Sequence, residues 1–304
     1  MSEKRLFGVV IPTITPMNED GSIDDHSLAN LIEYLVKAKV DCLYPNGTNG
    51  ECLLLSKDER ERVAKIIVET NNHRLSTFIQ CGSMTTEETK SHAKHAAKIG
   101  ADGVGVMSPV FFPMDDQSLF EYYSDVISEL PQDFPVYIYN IPSCTTNDIK
   151  PALFNRIMKE FPNVVGIKYS SPNLIRIEDY LLQAERYPDM LIGCDSLFLQ
   201  CLITGGVGTV TGPGSVFHER FTRLFRQYTG GDYVGASTTQ RQIVKTDRKL
   251  EGIPAIPALK ALLKMRGVFR TDVCRAPLRA LAKKEYEILE KILEEYYREE
   301  NISG

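Results

Sequence analysis

Residues 162–171 read Pro162-Asn163-Val164-Val165-Gly166-Ile167-Lys168-Tyr169-Ser170-Ser171. From Val164 to Ile167 the run is apolar and, Gly166 apart, β-branched, the composition of a short strand buried on both faces of a parallel sheet. A lysine follows at once. An ammonium at the end of such a strand is costly unless it reaches water, a partner or a substrate. Desolvation lowers its pKa, and the neutral amine can then attack a carbonyl to form a Schiff base. Taken alone, the segment is explained more simply by a lysine that snorkels into solvent. The ends of the other strands decide between the two.

Working outward, strand and helix patterns alternate. Leu6 to Ile11 is a first strand, left through Pro12-Thr13-Ile14-Thr15-Pro16. Asp24 caps a helix in which Leu28, Leu31, Ile32 and Leu35 follow helical spacing. Cys42 to Tyr44 is a second strand. Ser56 with Glu59 and Thr85 with Glu88 form capping boxes for the next two helices, with Phe78 to Cys81 as the strand between them. Gly103–Met107, Val136–Tyr139, Met190–Gly193 and Val207–Thr211 complete the strands together with the lysine strand. Helices fall near 117–130, 151–160, 196–203 and 216–228.

Eight strand–helix units predict an α/β fold of the (β/α)8 TIM barrel type over residues 1–228. An open doubly wound sheet is the runner-up, disfavoured because no GxGxxG turn follows the first strand. Past Gly230-Gly231, Leu259, Leu262, Leu263 and the run from Leu278 to Tyr297 predict extra helices. Residues 229–304 are therefore expected as a helical appendage packed on the barrel.

Barrel enzymes place reacting groups where strands end. Here those ends carry Gly47-Thr48-Asn49-Gly50-Glu51, then Tyr139, then Lys168, then Gly193 and Asp195, then Thr209 and Thr211. A lysine nucleophile, a tyrosine to move protons and a hydroxyl-bearing loop for a carboxylate are what imine chemistry needs. Each has a plainer account. Tyr139 suits a barrel interior, Gly47 to Gly50 suits a turn, and Asp195 suits a helix cap before Ser196. The glycines from Gly205 to Gly214 fit close packing better than a phosphate cradle, since no P-loop lysine accompanies them. The convergence at one rim favours catalysis by Lys168.

A net charge of −5 argues against general affinity for nucleic acid or an anionic membrane. No apolar run approaches a membrane span, and Met1 to Arg5 leads into a strand rather than a signal-peptide core. Seven scattered cysteines without a CxxC pair read as reduced, mostly core-filling thiols of a cytoplasmic protein. His92 and His95 lack a nearby third ligand, so no metal is expected.

Gly47-Thr48-Asn49-Gly50-Glu51, Tyr139-Asn140-Ile141-Pro142 and Gly166-Ile167-Lys168, in this order, resemble the dihydrodipicolinate synthase/N-acetylneuraminate lyase family over nearly the whole chain. The resemblance implies a Schiff-base pyruvate aldolase, usually a homotetramer, with neither metal nor organic cofactor. It implies an imine between Lys168 and the ketone of pyruvate or another small 2-oxo acid, and Tyr139 as proton relay. Thr48 would orient that phenol, and Gly47 and Asn49 would bind the carboxylate. Gly193 and Asp195 would contact the tail of an aldehyde or sugar-acid substrate, with Thr209 and Val210 on the opposite wall.

Three positions depart from the family pattern. Asn49 replaces a second hydroxyl, Phe111 replaces a relay tyrosine, and Cys144 stands where the synthase branch holds an arginine; Phe111 and Cys144 are thereby candidates for the acceptor pocket. These departures favour an aldolase or lyase acting on a 2-oxo-3-deoxy sugar acid or related hydroxy-oxo acid. The alternatives are 4-hydroxy-tetrahydrodipicolinate synthase, N-acetylneuraminate lyase, a sugar-acid dehydratase and, from another class, a non-catalytic barrel that binds a 2-oxo acid.

Overall fold

The computed structural model describes residues 4–302; the first three residues of the Met1–Arg5 lead-in lie outside the described residues. The elements are β1 (Gly8–Ile11), α1 (Asp25–Ala38), β2 (Cys42–Leu43), α2 (Lys57–Asn71), β3 (Ser76–Gln80), α3 (Thr86–Lys98), β4 (Gly103–Met107), α4 (Asp116–Ile127), β5 (Val136–Asn140) and α5 (Pro142–Thr145). They continue with α6 (Pro151–Glu160), β6 (Val164–Tyr169), α7 (Leu174–Gln183), β7 (Asp189–Ile192), α8 (Phe198–Ile203), β8 (Gly208–Val210), α9 (His218–Thr229), α10 (Tyr233–Leu250), α11 (Ala255–Met265) and α12 (Lys283–Glu300).

The eight strands pair in parallel, in sequence order, and close with β8 on β1, giving a (β/α)8 TIM barrel. Closure brings Gly208 beside Gly8, where a Cβ on Gly208 would stand 2.4 Å from the carbonyl oxygen of Gly8. Glycine is needed there for close packing.

Apolar side chains fill two zones. Outward-facing strand residues and the inner faces of the helices make the larger layer, with Leu28, Leu31, Ile32 and Leu35 of α1 among its fully buried members. A second cluster, including Val10, Tyr44, Phe78, Tyr137, Tyr139, Val165, Leu191 and Val210, packs together inside the ring of strands.

Local signals act as their chemistry requires. Asp24 accepts from the N–H groups of His26 and Ser27, both at 3.1 Å, and opens α1. Ser56 and Glu59 form a reciprocal capping box. Thr85 caps α3, but the Glu88 carboxylate accepts from the Ser83 hydroxyl at 2.7 Å, so that box is only half made.

Several elements differ from the sequence expectation, and helices α5 and α7 fall where none was assigned. Helix α10 was not expected, because its buried face mixes Ala236 and Ile243 with Thr239, Gln240 and Thr246 and so hides its period. Within the run Leu278–Tyr297 the helix starts only at Lys283, where Glu285 accepts the N–H of Ala282 at 2.6 Å. Lastly, β6 is irregular: Val136 pairs with Val164 and Tyr137 with Gly166, leaving Val165 as an extra residue.

That bulge sets the direction of the lysine. Val165 lies in the interior cluster, whereas Val164, Ile167 and Tyr169 pack in the outer layer. Strict alternation from Val165 would send Ile167 inward and Lys168 outward. The extra residue reverses the phase, as a one-residue slip does in any strand, and Lys168 points into the barrel.

Candidate active site

Lys168 and Tyr139 are directly paired residues of adjacent parallel strands, so their side chains share one face. The Lys168 Nζ lies 3.7 Å from the centroid of the Tyr139 ring and 4.8 Å from that of Tyr44. The lysine is only 4% exposed, and among the described residues no carboxylate is ion-paired with it. Attraction to aromatic faces contributes up to about 2 kcal/mol when desolvated, less than the several kcal/mol that burying an ammonium costs. Burial accordingly pulls its pKa down to about 7, and a large share of the lysine is neutral near neutral pH.

Tyr139 is set by its neighbours. Its hydroxyl lies 3.3 Å from the Thr48 hydroxyl, at hydrogen-bond distance. Burial pushes the phenol up to about 12, while hydrogen bonds from Thr48 and Ser170 act in the opposite direction. Tyr139 is thus a protonated donor, already coupled to a hydroxyl relay. Gly193 makes room for that relay: a Cβ there would stand 2.0 Å from the Ser170 hydroxyl oxygen.

These groups open into a cavity of about 460 Å³. Thr48, Asn49, Tyr139, Lys168, Ser170, Gly193, Asp195 and Val210 line it, so most of the residues expected from the sequence meet there. Gly47 is not among the lining residues; a Cβ there would stand 3.7 Å from the Tyr44 ring. Thr209 is fully buried and spends its hydroxyl on the carbonyl of Ile192 at 3.0 Å; it does not line the cavity.

The two candidates for the acceptor pocket are displaced as well. Phe111 is 73% exposed and stacks edge-on against Phe112, outside the cavity wall. Cys144 is exposed on α5 and borders a separate, smaller apolar cleft beside Met107 and Val110. Strand-end spacing places both at the correct rim; the loop after β4 turns Phe111 outward, while Cys144 borders a cleft that shares Thr48 with the cavity and acts electrostatically on Tyr139 and Lys168.

Asp195 does not cap the helix after it. It is the first residue of a 3-10 turn, Asp195–Leu197, whose start has no side-chain cap. Instead its carboxyl faces the cavity with Oδ1 buried and unpartnered. A second carboxyl arrives from an unexpected place. Asp247 of α10 lines the same cavity, together with Leu250, Glu251 and Ile253. Helix α10 is fixed to the Asp195 turn by Gln240, which accepts from Leu199 N–H (2.8 Å) and donates to Asp195 C=O (2.9 Å). Burial raises the pKa of both acids, and the charge of Asp195 raises Asp247 further.

The residues after the barrel thus furnish one side of the site, through Asp247, Leu250, Ile253, Ala258 and Leu259. Sequence reasoning missed them because nothing distinguishes a wall-forming aspartate on an uncalled helix from a solvated one. Ser170 was within reach, lying two residues past the lysine. Among the described residues Lys168 is the only cation in the wall; Arg176 is paired with Asp148 and Lys150 with Asp116. Among the described residues, no three His, Cys, Asp or Glu side chains gather as a metal site, and no helix is long and apolar enough to cross a membrane.

Comparison with known proteins agrees with this geometry. The model of the Dihydrodipicolinate synthetase family matches residues 5–296. The chain belongs to that family. A DapA-like lyase of Halobacterium salinarum is 34% identical over 279 residues, covering 91% of this chain and 89% of its own. The 4-hydroxy-tetrahydrodipicolinate synthase of Bartonella bacilliformis is 29% identical, covering 95% of this chain and 97% of its own. The crystal structure of dihydrodipicolinate synthase from Aquifex aeolicus superposes with a TM-score of 0.90 at 29% identity, covering 96% of this chain and 98% of its own. The protein is accordingly an enzyme of the carbon–carbon lyase type, a Schiff-base aldolase in the broad sense of the family.

Proposed function

We propose that this enzyme interconverts a 2-oxo-3-deoxy sugar acid, or a related hydroxy-oxo acid, with pyruvate and an aldehyde. One observation carries the reading: the cavity that holds the buried Lys168 ends in acids and hydroxyls, with no second cation in its wall among the described residues. A tail rich in hydroxyl groups suits Asp195, Ser196 and Asp247. A distal carboxylate, such as aspartate semialdehyde carries, calls for a guanidinium, and the described residues of the wall offer carboxyl groups in its place. The 4-hydroxy-tetrahydrodipicolinate synthase reading is weaker for that reason.

In this reading the neutral Lys168 amine attacks C2 of the oxo acid, and loss of water leaves a protonated imine. Asn49 and the amides of the Gly47 loop hold the carboxylate. Tyr139, aligned by Thr48, gives its own proton to the hydroxyl that leaves as water when the imine forms, and the phenolate so left accepts the proton of the C4 hydroxyl as the C3–C4 bond breaks. The bonding electrons flow into the imine to give an enamine, and the aldehyde leaves. Protonation at C3 and hydrolysis then release pyruvate and restore the amine. The lysine imine is the electron sink, so neither metal nor organic cofactor is part of the proposal. A homotetramer is proposed on the family resemblance, and a cytoplasmic location on seven cysteines that all stand unpaired.

The test is incubation with pyruvate and borohydride, followed by a panel of sugar acids with pyruvate detection. A fixed adduct on the peptide containing Lys168, with cleavage of a polyhydroxylated acid, is the expected result. Efficient condensation with aspartate semialdehyde, and no sugar-acid cleavage, would sink the assignment.

A further inference from the structure

Glu51 closes the Gly47–Glu51 motif yet takes no part in the chemistry above. Its side chain is fully buried and ion-paired with the Nζ of Lys260, which is fully buried too. Lys260 belongs to α11, and its Nζ also donates to the carbonyl of Val273 at 2.7 Å. The second Glu51 oxygen accepts the N–H of Arg275 at 2.9 Å. From the same side, Arg275 reaches the carbonyl of Leu54 at 3.0 Å and the carboxylate of Glu59 at 2.7 Å. The loop that carries Thr48 and Asn49 is therefore held from behind by residues 260–275.

The backbone at this point is held in an unfavourable state. Glu51 has φ 58° and ψ 31°, the left-handed region, which a side chain disfavours. It joins two 3-10 turns, Thr48–Gly50 and Cys52–Leu54. Its N–H donates to the Thr48 carbonyl at 3.0 Å, and its carbonyl accepts from Leu54 at 2.8 Å. Such a conformation persists only where its surroundings over-determine it. A buried ion pair is also a poor device for stability alone, since an apolar pair of similar volume commonly serves as well or better.

We propose that the Glu51–Lys260 pair is a positioning device for the oxo-acid site. Through it α11 fixes the turn at Glu51, and the turn fixes Asn49 against the substrate carboxylate and Thr48 against Tyr139. The proposal rests on the Schiff-base reading of Lys168. Glu51 and Lys260 are positioning residues, acting through Thr48 and Asn49 rather than on the reacting atoms.

The test compares the full-length wild type, Glu51→Gln, Lys260→Met and the double variant by thermal unfolding and by the pyruvate dependence of borohydride trapping. Each single variant leaves one buried group without its partner and melts lower. The double variant removes both charges and regains most of the melting temperature. A purely structural pair predicts that pyruvate dependence recovers with it. Positioning predicts that it does not: half-saturating pyruvate stays raised by about tenfold or more, the loss expected for a misaligned hydrogen bond to a charged group. KM for the oxo acid should likewise rise more than kcat falls. Recovery of both properties overturns the proposal, and so does a double variant that cannot fold, since a positioning pair is not needed for folding. Absence of any adduct in the wild type would sink the Schiff-base reading instead, and KM in the four proteins would then decide the positioning alone.

Discussion

Among the described residues two lysines lie almost wholly out of water. Lys168 is 4% exposed and Lys260 is fully buried. Lys260 meets a carboxylate and a carbonyl, whereas Lys168 faces aromatic rings and a cavity, with no carboxylate paired to it among the described residues. Burial is therefore not what makes a lysine nucleophilic. The missing counter-ion is, because desolvation then falls wholly on the charged form. One lysine is paired and holds a loop, and the other is driven toward a free amine to react.

The largest effect should come from trading each lysine for methionine. Lys168→Met should lose the pyruvate adduct and drop turnover to background, yet melt no lower than the wild type, because it removes an uncompensated buried charge. Lys260→Met should retain the adduct but lose about 3–5 kcal/mol of stability, the usual consequence of stranding one member of a buried pair. Adduct assays and denaturation curves give both comparisons. Equal stability losses in the two variants would break the contrast.

Next in size is Tyr139→Phe. With Phe111 turned to solvent and lacking a hydroxyl, that position offers no second relay, so turnover should fall about 10²–10⁴-fold while trapping of pyruvate changes little. Near-normal turnover on the true substrate would pass the relay to Ser170, Thr48 or water.

A pH series sharpens the comparison. Burial lowers Lys168 from 10.5 to about 7. Between those values the unfolded chain holds a proton on this lysine that the folded chain has released. Linkage then makes wild-type stability rise with pH across that window relative to Lys168→Met, by up to about 1.4 kcal/mol per pH unit. Below pH 7 both states are protonated and the difference is flat. Chemical denaturation of both proteins from pH 6 to 9 checks this, and parallel curves would remove the desolvated lysine. Imine formation should accelerate over the same rise through about 7.

The smallest effect concerns the acids opposite. Asp247→Asn keeps the shape of the wall and should raise KM for a polyhydroxylated acceptor by about 2–12-fold, the range of one net hydrogen bond. Pyruvate trapping should not move. A change confined to pyruvate would place Asp247 in the wrong half of the cavity.

Much of this was legible in the chain because barrel strands are apolar runs and a reacting residue sits one step beyond each. Tyr139 and Lys168 were found together for that reason, and the register makes them direct neighbours. What the sequence hides is anything set by phase or by distant packing. The extra residue at Val165 decides which way Lys168 points, yet a bulge leaves no mark beyond an adjacent glycine. Thr209 stands at a strand end like the others, but the carbonyl of Ile192 takes its hydroxyl. Asp247 and Lys260 are single charges in helices far along the chain, and only folding shows that one faces a cavity and the other a buried glutamate.

The part of the wall built by α10 and α11 carries a consequence for how the protein is made. A ribosome delivers Lys168 well before it delivers Asp247, Leu250 and Leu259. Until those helices dock, the cavity lies open to water on that side, and a hydrated lysine near neutral pH is an ammonium, inert toward carbonyls. A Lys168 amine of lowered pKa is accordingly a property of the barrel with α10 and α11 docked against it.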